Sequence, residues 1–379
     1  MKDEKKDRKP QGKRRGFFGR VIVFLLAVLA FVGMLAMAMS VFGSYVNPNK
    51  FVWFSFFGLA FWEIFLFNVV IFVLLLLMWS RKVWISVIAL LIAIPGLGKS
   101  LSFGKSQDGG ELRVMTYNVL YFNDQYDKDR SRLEVATDVA KMVKENNPDV
   151  LCIQEFEIFI PKTSRKACIA AFGEMTGLPY QYYHTKKYYG KNVIFSRYPL
   201  SALEDGTSFA DENDYGAVAK VDAKNKGEFY VLCVHLTSFR LTNDEITVFS
   251  ETGNNKEQVE EYGKSIIAKL KTAYETRSQM VARMLEDIPH DGRPIIICGD
   301  FNDTPLSYTY HRIRKAGFVD SFVVGGRGIG HTYAGKLPLL RIDYVWGNEQ
   351  IQPMSFKRLK HKGSDHYPVM VDFNVKNEL

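Results

Sequence analysis

The sequence predicts a layered α/β domain preceded by N-terminal transmembrane helices, and three observations lead there. Long apolar runs crowd the first hundred residues. Beyond them, short apolar strand-like segments alternate with stretches of helical periodicity, the pattern of sheets covered by helices. Polar and ionisable residues recur where the strand-like segments end, which in a layered fold is where distant side chains meet on a rigid frame.

The apolar runs come first. Residues 21–42 are unbroken, residues 51–79 are interrupted mainly by Glu63 and Asn68, and residues 83–97 form a shorter third run. A spanning helix needs about 20 apolar residues, so the first two qualify and the third is borderline. A cleaved signal peptide fits poorly: the first run exceeds an h-region, no small-residue cleavage site follows, and two more runs come after it. The sequence therefore divides into a basic head (1–20), a membrane anchor of two or three helices (21–103), a polar linker (104–110) and a large domain (111–379). The head carries nine Lys and Arg, and Arg81 and Lys82 separate the second and third runs. Keeping both basic segments cytoplasmic places the domain outside the cytoplasm if three spans form, as expected here, in a bacterial periplasm across the inner membrane. With two spans the domain would be cytoplasmic.

The net charge of +8 belongs to the anchor. Of 49 Lys and Arg and 41 Asp and Glu, 13 and 4 lie before residue 105, leaving 36 and 37. The domain thus lacks the strong basic balance common among nucleic-acid-binding domains, although a local patch is compatible with the count. Cys152, Cys168, Cys233 and Cys298 have no zinc or CxxC spacing, and three sit in apolar strand-like runs, so buried thiols are expected.

Within the domain, residues 112–119, 150–154, 192–196, 229–235, 294–298, 342–346 and 368–373 read as strands. Residues 132–146 and 259–288 read as amphipathic helices, the first stopped by Pro148. The polar stretch 241–257 is long for a loop and reads as a lid or a solvated surface segment. Residues 180–189 (YQYYHTKKYY) suit a headgroup region as well as an ordinary half-buried strand.

The chemistry-bearing segments are RVMTYNVL (113–120), DVLCIQEFE (149–157), KNVIFSRYPL (191–200), YVLCVHLTS (230–238), IIICGDFNDTP (295–305), RIDYVW (341–346) and GSDHYPV (363–369). Singly each is weak, since a polar residue at a strand end more often makes a local hydrogen bond. Together and in this order they resemble the endonuclease/exonuclease/phosphatase superfamily, the deoxyribonuclease I-like fold. That resemblance implies a four-layer α/β sandwich, two mixed sheets face to face with helices outside. It implies metal-dependent hydrolysis of a phosphate ester by in-line water attack. It makes Glu155 the principal ligand of Mg²⁺, with Mn²⁺ as a substitute, assisted by Asn118 and Asp365; hard oxygen donors suit such a cation. Asp300 would orient or deprotonate the water and Asn302 position it. His366 would stabilise charge on the phosphoryl oxygens with Asp343 as its carboxylate partner, and His235 would be a second phosphate-contacting histidine. Asn192 matches a position often polar in the family and is expected at the substrate. Asp303, Thr332 and Arg341 lie beside these motifs and read equally well as structural.

Two departures bear on substrate. Leu120 stands where repair-type nucleases often carry a carboxylate, and His235-Leu236 matches the His-Leu version of phosphatase-like, sphingomyelinase-like and deoxyribonuclease I-like members. The expected substrate is a lipid or small-molecule phosphate ester, with the bilayer as the other partner. A membrane-bound nuclease and a catalytically silent membrane-tethered binding module are the alternatives.

Overall fold

The computed structural model describes residues 16–107, 109–158, 162–183, 191–203, 215–247, 256–335 and 339–376. Most of the basic head and parts of 180–189 and 241–257 lie outside them.

In chain order the elements are α1 (Phe17–Phe42), α2 (Trp53–Leu59), α3 (Phe61–Leu77), α4 (Val83–Ser100), β1 (Ser102–Phe103), β2 (Leu112–Asn118), α5 (Arg132–Asn146), β3 (Val150–Gln154), α6 (Arg165–Thr176), β4 (Tyr180–Tyr183), β5 (Val193–Ser196), β6 (Leu200–Ser201), β7 (Gly216–Asp222), β8 (Glu228–His235), α7 (Asn243–Thr247), α8 (Lys256–Glu286), β9 (Ile295–Asp300), α9 (Tyr308–Lys315), β10 (Val319–Asp320), α10 (Ser321–Gly325), β11 (Arg327–Gly328), β12 (Asp343–Gly347), β13 (Ile351–Pro353), β14 (Lys357–Arg358) and β15 (Val369–Val375).

Two mixed sheets stack face to face. One runs β10-β12-β9-β8-β7-β6 and the other β13-β15-β2-β3-β5-β4, with β14 beside β15. Period-2 alternation sends one set of strand side chains between the sheets and the other set outward. Val114, Val150, Cys152 and Ile194 of one sheet meet Val231, Cys233, Ile296 and Val345 of the other in the central core. Outward residues of the β2 sheet, such as Met115 and Tyr117, are covered by α5 and α6 through Val139, Val143 and Phe172. Those of the β9 sheet are covered by α8 and α9 through Val281, Met284 and Ile313. This is the expected four-layer sandwich, and the expected strands and helices fall within a few residues of the elements found. Helix α5 starts at a capping box formed by Ser131 and Glu134 and ends where Asn147 turns left-handed before Pro148. All four cysteines are buried and free.

At the N-terminus, Phe17–Tyr45 and Val83–Ser100 are each long and apolar enough to cross a membrane. The second apolar run differs from a single straight span: it breaks into α2 and α3, bent by 69°. The reason lies in what α2 packs on. Val52, Phe56 and Leu59 join Leu270 and Tyr274 of α8 and Phe239 in one apolar cluster, which turns α2 across the domain. The ends of α1, α3 and α4 that meet the domain are those away from Arg20, Arg81 and Lys82: Met37, Val41, Phe61 and Ala93 enclose Leu306. The expected linker also lies against the domain. β1 pairs with β11, and the Gln107 amide donates to the Met354 carbonyl at 2.9 Å.

Candidate active site

Topology explains why the polar strand ends converge. β2 and β3 run parallel, as do β8 and β9. Their C-terminal ends carry Asn118, Glu155, His235 and Asp300. The antiparallel neighbours β5, β12 and β15 begin at that same edge, where Asn192, Asp343 and His366 lie. In register, His235 sits beside Asp300, and Asp300 beside Asp343.

Local geometry sharpens the edge. Gly299 has φ 144°, and a Cβ there would lie 1.9 Å from the Val234 carbonyl oxygen, so only glycine lets β9 deliver Asp300 this close to β8. Glu155 and Asn302 both adopt left-handed backbone, φ 59° and 52°. Such conformations cost about 1–3 kcal/mol and persist where the surroundings hold them. The Phe156 amide is held by the Lys191 carbonyl at 2.7 Å, and the Asn302 amide by Asp300 Oδ1 at 2.8 Å.

Asp300 is the hub. Its Oδ2 accepts from Asn118 Nδ2 at 3.0 Å and from Asn302 Nδ2 at 2.9 Å. His235 Nε2 and His366 Nε2 each lie 3.7 Å from that oxygen. His235 Nε2 is also 3.6 Å from Glu155 Oε1. His366 Nδ1 meets the two Asp343 oxygens at 3.0 and 3.2 Å, and Ser364 Oγ holds the loop by donating to the Asn118 carbonyl at 2.7 Å. Eight of the nine expected residues thus belong to one set of contacts or sequence neighbours around Asp300: Asp365 reaches it only through His366, at 3.9 Å. Asn192 stands apart from this set, buried one residue before β5.

The electrostatics are those of a crowded acidic pocket. Burial pushes the Glu155, Asp300 and Asp365 carboxyls above their ordinary range, and Asp300 raises the other two further; the histidines oppose the rise. For His366 burial acts downward, but Asp343 and Asp300 outweigh it and hold the imidazolium at about 10. It is therefore a cation at neutral pH, with Nε2–H left to donate.

Among the described residues, three buried oxygens in this region meet no hydrogen-bond donor: Glu155 Oε2, Asp365 Oδ1 and Asn192 Oδ1. A buried carboxylate oxygen without a donor is costly unless a cation meets it. The donor chemistry therefore fits a hard divalent ion, and two of the three orphan oxygens belong to expected ligands. Asn118 Oδ1 accepts from the Leu120 amide at 3.1 Å. Among the described residues a different trio of ligand type, Asp300, Asp343 and His366, also lies within 4.8 Å of one another. There Asp343 is already engaged by the imidazolium, so the orphan oxygens are the better guide.

The motif neighbours act as supports. Asp303 lies 3.1 Å from fully buried Arg277, whose Nε donates to the Thr237 carbonyl at 2.9 Å. Thr332 Oγ1 accepts from the Ile342 and Asp343 amides, both at 3.0 Å. Sequence reading missed Arg277, which sits mid-helix with nothing to mark it, and Tyr333, whose ring packs 5.5 Å from that of His366 and whose hydroxyl burial pushes up to about 12. It also missed Tyr121, with left-handed backbone and its ring 4.4 Å beneath Lys191 Nζ, next to Glu155.

A sandwich of two mixed sheets with carboxylates, amides and a His–Asp pair at one edge defines a phosphoester-hydrolysing architecture. Residues 115–366 match the family model of the endonuclease/exonuclease/phosphatase family, more than half of the chain, and the protein belongs to that family. It is a hydrolase acting on phosphate ester bonds. Residues 20–100 match the model of a domain of unknown function. No curated protein matches the chain. Similar solved structures include an endonuclease/exonuclease/phosphatase protein from Beutenbergia cavernae, 17% identical over 70% of this chain and 72% of that one, with a TM-score of 0.47. A 3'-5' exonuclease from Neisseria meningitidis is 16% identical over 69% and 100%, with a TM-score of 0.46. A mannosyl-6-phosphatase from Bacteroides thetaiotaomicron is 15% identical over 69% and 99%, with a TM-score of 0.43.

Proposed function

We propose that the protein is a multi-pass, membrane-anchored, Mg²⁺-dependent phosphoesterase whose domain lies outside the cytoplasm and acts on a lipid or small-molecule phosphate ester. The observation that carries the catalytic part is the Asp300 hub flanked by orphan acceptor oxygens on Glu155 and Asp365.

Glu155 and Asp365, with Asn118, would hold the cation, and Mn²⁺ would substitute. When bound, it neutralises charge on the phosphate oxygens. Asp300, fixed by Asn118 and Asn302, aligns a water with phosphorus and takes its proton; the water oxygen bonds to phosphorus as the ester P–O bond breaks, and the departing alkoxide takes a proton from solvent. His366, held as an imidazolium by Asp343, donates from Nε2 to a phosphoryl oxygen that gains charge. His235 and Asn192 contact the remaining phosphate oxygens.

Two features favour a lipid or small ester. The domain carries almost equal numbers of basic and acidic residues, whereas long nucleic acids are gripped by several Lys and Arg. The loop that follows Asn302 rests on the membrane helices through Leu306, so the site stays beside the bilayer and membrane-borne substrates are concentrated there.

The test is hydrolysis by the full chain in nanodiscs with Mg²⁺, using a bis-aryl phosphodiester, lipid phosphodiesters, inositol phosphates, and single- and double-stranded DNA at physiological salt. Higher kcat/KM on a lipid or small ester than on DNA is expected. Efficient DNA cleavage without turnover of the others would overturn the substrate class, and no hydrolysis at all would favour a silent binding module.

A further inference from the structure

We propose that the membrane helices are a positioning part of the catalytic centre, bracing three of the segments that carry its residues; the proposal rests on the phosphoesterase reading above. A tether joined through a free linker would leave those segments untouched. Here each is held.

The first brace is on the segment after Asp300 and Asn302. Leu306 is buried among Met37 and Val41 of α1, Phe61 of α3 and Ala93 of α4. Gly58 makes the approach possible: a Cβ there would stand 2.5 Å from the Leu306 carbonyl oxygen. A small, partly open pocket lined by Gly58, Phe61, Leu306 and Arg341 lies along this contact.

The second brace is on the segment leading into Asp343. Arg341 is buried, and its Nη2 donates to the Lys99 carbonyl at the end of α4 at 2.8 Å, while Nη1 donates to Asp320 at 2.8 Å. The same backbone reaches the histidine: the Tyr333 amide donates to the Leu340 carbonyl at 3.1 Å, and Tyr333 bridges to His366.

The third brace runs through α8. Asn49 Nδ2 donates to Ser278 Oγ at 2.6 Å, and Val52 packs on Tyr274. The neighbouring Arg277 ties Asp303 to the Thr237 carbonyl, two residues beyond His235. Three independent contacts therefore connect the anchor to the Asp300–Asn302, Asp343 and His235 segments. None of the anchor residues involved touches the reacting groups, so their part is positioning.

The test uses the full chain in nanodiscs and a bis-aryl phosphodiester as the probe. Leu306→Ala removes the plug, Gly58→Val forces the carbonyl away, and Leu306→Met keeps the plug. The first two are expected to lower kcat about tenfold or more with KM within about twofold, because small misplacements of catalytic groups are costly. Leu306→Met is expected to recover most of the rate. Hydrogen exchange across 300–306 and 341–344, read on the same proteins without substrate, is expected to quicken in the first two only. Wild-type kcat and wild-type exchange in both Leu306→Ala and Gly58→Val would overturn the bracing, as would a loss equal in Leu306→Met and Leu306→Ala. Absence of wild-type turnover on every ester would instead strike the phosphoesterase reading, and the exchange measurement would still decide the bracing.

Discussion

His366 turns Nδ1 to the Asp343 carboxylate, 3.0 Å from Oδ2, and leaves Nε2 facing Asp300 and Asp365 at 3.7 and 3.9 Å. One nitrogen is anchored and the other faces two carboxylates. Asp343 thereby sets both the charge and the direction of the ring.

Asp343→Asn keeps the shape and removes the charge that holds the imidazolium. kcat is expected to fall by about 10² or more, the order seen when a preorganised charged group is lost. KM for a small ester is expected to change little. Steady-state kinetics checks this, and a wild-type kcat would remove Asp343 from the site.

The raised value of His366 also makes a stability prediction. Its folded value, about 10, lies above the ordinary 6.5. Its contribution is therefore complete below about pH 6.5 and disappears as pH rises through about 10. The difference in thermal midpoint between wild type and His366→Gln should shrink steadily over that window. A difference that stays constant from neutral to alkaline pH would contradict the geometry.

Burial, with the neighbouring Asp300 charge, keeps Glu155 and Asp365 protonated to higher pH than ordinary carboxyls. Protons then compete with a cation, so Mn²⁺ affinity, followed by electron paramagnetic resonance, should go on rising as pH climbs beyond the ordinary carboxyl range. Glu155→Gln should weaken it by at least about tenfold. At neutral pH a hundredfold excess of Mg²⁺ over its dissociation constant should stabilise the fold by about 2.7 kcal/mol. Affinity that ignores both pH and Glu155→Gln would rule these oxygens out as the ligands.

Arg277 is fully buried, lies 3.1 Å from Asp303 and stacks 4.2 Å over the Phe239 ring. Arg277→Met leaves a buried carboxylate without its cation and should destabilise the domain by about 3–5 kcal/mol. Adding Asp303→Asn should recover part of the loss. Denaturation of the two variants decides it: a double variant no more stable than the single one would mean the pair is not what matters there.

The ends of α1, α3 and α4 away from Arg20, Arg81 and Lys82 pack on the domain. Basic residues favour the cytoplasmic side, so three crossings would carry the domain to the other side. A reporter fused after Leu379 should be active only outside the cytoplasm. Activity confined to the cytoplasm would leave two crossings.

Much of the fold was legible because its signals are local. The unbroken apolar run VLCI marked β3, because a strand buried on both faces reads as a continuous apolar stretch rather than an alternating one. Apolar residues at helical spacing and the stop at Pro148 marked α5, and the structure adds the Ser131–Glu134 cap. The candidate residues stand in the sequence as polar punctuation after apolar runs, and the structure brings most of them to one edge. Arg277 and Tyr333 were not, because each is defined by a partner far away in sequence, Asp303 and His366. The break in the second apolar run was equally hidden, since its cause is α8 rather than any residue at the bend.

By itself the sequence determined the layered α/β class, the apolar N-terminal segment, the family and a list of polar candidates, because periodicity, hydropathy and motif order are properties of the chain read in line. The tertiary structure decided which candidates meet. Parallel strands end, and antiparallel neighbours begin, at one sheet edge, and this alone puts Asn118 and Asp300 in contact across 182 positions. It also decided that the N-terminal apolar helices pack against the loop that follows Asn302, because the fit of Leu306 beside Gly58 depends on surfaces that exist only once both parts have folded.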